Sequence, residues 1–125
     1  MKATRVNLKT ESTDEFFDRL RTQAAKLDAG ETPPAGITIS FEEPAELLNV
    51  LSAERVRLLR RAQLGALTLP ALASGLRRDV RAVRRDVVLL EKAGLLRTGY
   101  RSNPGHGRVK FVEPIARQYT VTATL

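Results

Sequence analysis

The 125-residue chain has no cysteine, no tryptophan, a single histidine, and aromatic residues at only 5%. Without cysteine there are no disulfides and no thiolate metal sites. Few aromatics mean a core of Leu, Val and Ala, which suits helices. Long apolar runs are also missing. The opening Met-Lys-Ala-Thr-Arg-Val-Asn-Leu-Lys-Thr lacks the apolar stretch of a secretory signal, and no segment approaches the ~20 apolar residues of a membrane span. A cytoplasmic protein without membrane association is expected. The length accommodates one compact domain with some decoration.

What the chain does have is positive charge, and it is unevenly placed. The formal net charge is +7. Residues 1–51 hold six basic and nine acidic side chains, whereas residues 52–101 hold twelve and four. Eleven of those twelve are arginine, Lys92 being the exception. Arginine's planar fork donates paired hydrogen bonds to phosphates and guanine edges. A basic middle of this composition points to nucleic acid.

Residues 3–9 alternate through Thr4, Val6 and Leu8, which predicts a short strand. Ser12 and Glu15 are spaced as a capping box at the head of a helix reaching Asp28, with Phe16, Leu20, Ala24 and Leu27 on one side. Residues 36–41 alternate again as a strand, and 44–51 read as a short helix holding Leu47, Leu48 and Leu51. Ser52 opens the next helix, with Val56, Leu59 and Leu64 inward and Arg57, Arg60 and Arg61 outward; Gly65 stops it. Thr68 caps a short helix with Pro70 in its first turn, where a missing N–H is harmless, and Gly75 is expected to end it. A further helix runs from Arg78 or Asp79 to Ala93. Then come a strand (95–101), a loop from Ser102 to Gly107, a returning strand (108–112), and an alternating tail (118–125) through Tyr119, Val121, Ala123 and Leu125.

The helix beginning at Arg78 or Asp79 carries the functional argument. Val80, Val83, Val87 and Leu90 are spaced three, four and three, forming one apolar stripe that must face the core. With that side fixed, Arg81, Arg84, Arg85 and Val88 lie opposite, and Arg77 and Arg78 stand at the N-terminal end. An ordinary basic surface helix would explain the stripe. It would not explain arginines crowded into the N-terminal half, where the helix dipole favours acidic residues. A helix that docks by one side and offers donors to base edges from the other does explain them.

Three helices, the last two joined by a short turn, followed by a β-hairpin form the order of a winged helix-turn-helix. The pattern Leu51-Ser-x-x-Arg55-x-x-Leu58-Leu59, then Leu69-x-x-Leu72-Ala73, then Arg78-Asp79-x-x-x-Val83-x-x-Asp86-x-x-x-Leu90-Glu91-x-x-Gly94-Leu95 resembles the ArsR/MarR-like class of winged helix-turn-helix regulators. The leading Ile39-Ser-Phe41-Glu is similar to a narrower group of small antitoxin-like regulators of bacteria and archaea. The resemblance covers about residues 42–113. It implies that Leu72 and Ala73 are core residues, that Leu90, Gly94 and Leu95 join the helix to the wing, and that Arg77, Arg78, Arg81, Arg84 and Arg85 meet DNA. It also implies that Arg101, His106, Arg108 and Lys110, around the hairpin, reach the neighbouring groove or backbone.

The expected fold is therefore mainly α with small β elements (α+β). Residues 1–41 form a strand-helix-strand extension for dimerisation or partner binding, 42–113 the winged helix-turn-helix, and 114–125 a terminal strand. The expected function is a sequence-specific regulator of double-stranded DNA, a repressor acting as a homodimer, because one small helix reads too few bases alone. An alternative reading is an antitoxin that neutralises a cognate toxin protein and regulates its own operon. No enzyme, metal site or cofactor is expected: His106 lies between two glycines with no partner nucleophile or ligand set, and Glu42, Glu43 and Glu46 read as charge bias at a helix start. The terminal segments are too small for a core of their own, so their apolar faces need partners from the same chain or a second copy.

Overall fold

The computed structural model describes residues 3–32, 36–105 and 107–125. It mixes helices and strands in the order β1 (Ala3–Thr10), α1 (Thr13–Asp28), β2 (Gly36–Phe41), α2 (Pro44–Val50), α3 (Ala53–Gln63), β3 (Leu67–Thr68), α4 (Leu69–Leu76), α5 (Val80–Lys92), β4 (Leu96–Asn103), β5 (Gly107–Pro114) and β6 (Ala116–Thr122). No helix among the described residues is long and apolar enough to cross a membrane.

The two ends of the chain meet in one sheet. Its order is β2-β1-β6, with β1 parallel to both neighbours. Parallel pairing demands a crossover; α1 supplies it between β1 and β2, and the rest of the chain supplies it between β1 and β6. Alternation then sorts the two faces. Val6 and Leu8 are buried, while Asn7 and Lys9 stand on the other face beside Thr38, Ser40, Thr120 and Thr122. The terminal strand begins two residues earlier than its alternation predicts and stops at Thr122, so Ala123 and Leu125 fall outside it. Its entry is pinned by the Tyr119 hydroxyl, which donates to the Leu95 carbonyl at 2.6 Å and accepts from the Ile115 N–H at 3.1 Å. Burial pushes that phenol's pKa up.

A second sheet, β3-β5-β4, is antiparallel. The β4–β5 hairpin keeps its register out to Asn103 opposite Gly107. Both strands thus extend into the expected 102–107 loop, and the turn is shorter than the Pro-Gly composition suggests. His106 lies outside the described residues.

The capping residues behave as their sequence implies. Ser12, Ser52 and Thr68 each accept from the backbone N–H three residues on, satisfying donors left free at helix starts. Two helix ends differ from expectation. Leu64 sits just past the last residue of α3 and is 79% exposed, while Leu58, Leu59 and Ala62 take the inward places. Helix α4 also runs through Gly75 to Leu76, because Leu76 is buried only if the helix continues. The stop falls on Arg77, at φ 53°. The Arg78 N–H returns to the Ala73 carbonyl and the Arg77 N–H to Ser74, both at 3.1 Å. This is the paired closure usually built on glycine.

One apolar core joins these parts. Val6 and Leu8 of β1 and Ala116 of β6 belong to the same buried cluster as Leu47, Leu58, Leu72, Val83, Leu90 and Val112. The core therefore runs across both expected segment boundaries, at 41/42 and 113/114. Helix α1 stands apart from it and has no buried residue. It is tied down by Arg19, whose Nη2 reaches Glu11 at 2.7 Å and Ser40 Oγ at 3.3 Å. The Arg19 hydrogen bond holds the buried Glu11 carboxyl below its ordinary pKa, against the opposing effect of desolvation.

Candidate nucleic-acid interface

Helix α5 starts at a side-chain cap, Asp79 Oδ1 accepting from the Arg81 N–H at 2.7 Å. Val83, Asp86, Val87 and Leu90 face inward and are buried. The expected stripe is thus three-quarters right. Val80, at the first helical residue, is 37% exposed, and an acid, Asp86, takes a place in the buried face. Arg81, Arg84 and Arg85 are exposed on the opposite side, with Val88 beside them at 43%.

Asp86 is a charge hub. Its Oδ1 accepts from Arg55 Nε at 3.1 Å and its Oδ2 from Arg78 Nη1 at 2.7 Å. Arg55 also donates to the Asn49 carbonyl, and Arg78 lies 3.5 Å from Glu54. A buried carboxylate persists only when its lone pairs are occupied, and two guanidiniums occupy them here. The network fixes α5 against α3 and the end of α2. It also settles where Arg78 goes: the side chain turns inward into ion pairs with Asp86 and Glu54, instead of outward with the other arginines as the resemblance implied. The signal was present in the sequence as an acid among the inward positions of an arginine-rich helix, three residues after Val83.

The hairpin arginines divide similarly. Arg101 donates to Glu113 at 2.9 Å and stacks 4.6 Å over the Phe111 ring. Glu113 also takes Arg97 at 3.1 Å. Its carboxyl is held below the usual value, by the Arg101 hydrogen bond above all. Arg108 lies 4.8 Å over the Tyr100 ring, where a guanidinium is attracted by the aromatic face. Arg108 and Lys110 are both exposed.

A groove of about 560 Å³ runs between α5 and the hairpin. Pro70, Val80, Val87, Val88 and Val112 give it an apolar floor, and Arg84, Arg108 and Lys110 line it with positive charge. Thr98 donates to Glu91 at 2.7 Å across this space, linking β4 to α5. Of the nine residues singled out from sequence, Arg84, Arg108 and Lys110 meet at one groove. Arg81 and Arg85 extend the same helix side, Arg77 is exposed at the left-handed turn before it, Arg78 is withdrawn, Arg101 is engaged on the hairpin, and His106 is outside the described residues.

Comparison with known proteins adds little sequence kinship. The HVO_A0114 family matches residues 50–111, just under half of the chain. No curated protein matches. Among solved structures, the chain is similar to a possible transcriptional regulator from Methanosarcina mazei Go1 at 19% identity and a TM-score of 0.49. The likeness covers 61% of this chain and 66% of that one.

Proposed function

We propose that α3, α4, α5 and the β4–β5 hairpin form a winged helix-turn-helix. In this reading the chain is a sequence-specific regulator of double-stranded DNA, a binder with no catalytic role. Helix α5 enters the major groove with Arg81, Arg84 and Arg85 on base edges and phosphates, and Arg77 contacts the backbone beside it. Arg108 and Lys110 follow the adjacent phosphates or minor groove. The single observation that carries the reading is the split of α5, one side sunk in the core and the other bearing three exposed arginines next to a cationic groove. Phosphate is the chemistry such a surface neutralises best.

Sequence choice needs two half-sites, so the regulator acts as a homodimer and represses by occupying its operator. Selecting bound duplexes from a random library tests this. An enriched, roughly palindromic site and affinity falling steeply with salt are expected. Retention of duplexes without any enriched sequence would sink the sequence-specific reading.

A further inference from the structure

Helix α1 has sixteen residues, about 24 Å of length, and buries none of them. A helix of this size is marginal in water unless a face is packed. It has such a face: Phe17, Leu20, Ala24 and Leu27 are spaced three, four and three, the seam of two helices lying side by side. Phe17 is 49% exposed, Leu20 40% and Leu27 50%. The sheet beside this seam is mostly polar. Between α1 and the sheet is a gap of about 280 Å³, bounded by Asn7, Leu8, Lys9, Arg19, Thr38 and Thr122, and the one apolar residue of these, Leu8, is already buried in the core cluster. The fastening there is Arg19 on Glu11 and Ser40, a polar contact.

We propose that α1 pairs antiparallel with the α1 of a second copy across a two-fold axis. Charge selects both the partner and the direction. In the first half of the helix Asp14, Glu15 and Asp18 outweigh Arg19; in the second, Arg21 and Lys26 outweigh Asp28. Antiparallel packing lays the acidic half on the basic half and opposes the two helix dipoles, whereas parallel packing sets like on like. A surface complementary to itself in this way is what a two-fold interface requires. Two helices this short cover less than the roughly 1,600 Å² of a standard interface. Association is therefore concentration-dependent and tightens when both copies hold one DNA.

This inference rests on the dimeric reading above, and the test separates the two. Light scattering over a concentration series on the full chain should show a dimer. The double variant Leu20→Glu, Leu27→Glu should raise its dissociation constant at least tenfold, with an unchanged melting temperature at concentrations where the unaltered chain is monomeric, because α1 buries nothing within its own chain. The chain has no cysteine, so Thr13→Cys gives a single spin-label site. Antiparallel pairing puts the two labels roughly 27 Å apart along the axis, parallel pairing about 10 Å. A dimer indifferent to the double variant, or labels near the short distance, overturns this pairing and leaves the dimeric reading standing. A monomer at every concentration overturns both.

Discussion

Helices α1 and α5 are both amphipathic and both rich in charge, yet they present opposite faces to solvent. In α5 the apolar side is sunk in the core and the arginines are outside. In α1 nothing is buried, and phenylalanine and leucine are outside. The amino-acid pattern of each helix says which face is apolar. Only the rest of the fold says whether that face is already used. Helix α5 has α4, the hairpin and the Asp86 network to hold it; α1 has one arginine and a polar sheet beneath it.

The sharpest break of this comparison is a carboxylate placed on each apolar face. Val83→Asp buries an unpaired charge where no solvent reaches, so unfolding or a loss above about 4 kcal/mol is expected in a denaturant melt. Leu20→Asp in α1 should change stability by less than about 0.5 kcal/mol in dilute solution, as surface substitutions do. A cooperative, near-native melt for Val83→Asp would mean that the inward side of α5 is misplaced.

Next in size is Asp86→Ala. Breaking a buried ion pair costs about 3–5 kcal/mol; Arg55 and Arg78 keep one-fifth of their side chains exposed, so about 2–3 kcal/mol is expected. Calorimetry on Asp86→Ala alone and with Arg78→Met reads it. The second change should recover part of the loss by removing one stranded guanidinium. An additive further loss would show that Arg78 stabilises by some route other than Asp86.

Smallest is the turn between α4 and α5. Gly75→Ala should stabilise by about 0.5–1 kcal/mol, since alanine suits a helix interior better. The added Cβ meets only Arg61 Nε, at 3.4 Å, the far end of a flexible side chain. Arg77→Gly should also stabilise, by about 1 kcal/mol, by relieving the left-handed backbone. A melting temperature lowered by Gly75→Ala would return the helix end to Gly75.

Much of this was legible from local chemistry. The caps at Ser12, Ser52 and Thr68, the alternation of Val6 and Leu8, and the stripe of Val83, Val87 and Leu90 each follow from neighbours a few residues away. The misses are tertiary. Gly75 looked like a helix stop because glycine usually is one; the burial of Leu76 one residue later outweighed it. Arg78 looked like its neighbours until Asp86, eight residues on, took it inward. The pairing of β1 with β6 joins segments more than a hundred residues apart, and no local pattern announces it. Leu20, Ala24 and Leu27 of the exposed α1 seam were visible as a stripe, with Phe16 in the place that Phe17 takes, but the stripe's lack of an internal partner was not.

In the proposed reading the outward arginines of α5 contact DNA and do nothing for the fold. A binding titration of Arg81→Ala and Arg85→Ala on the selected duplex and on a scrambled one, with melting temperatures alongside, checks this. Each variant should weaken the selected site by about 1–3 kcal/mol, a five- to 150-fold rise in dissociation constant. The scrambled duplex should be affected far less and the melting temperature left unchanged. A lowered melting temperature with equal affinity for the selected and scrambled duplexes would make these arginines part of the scaffold and not of a DNA-reading surface.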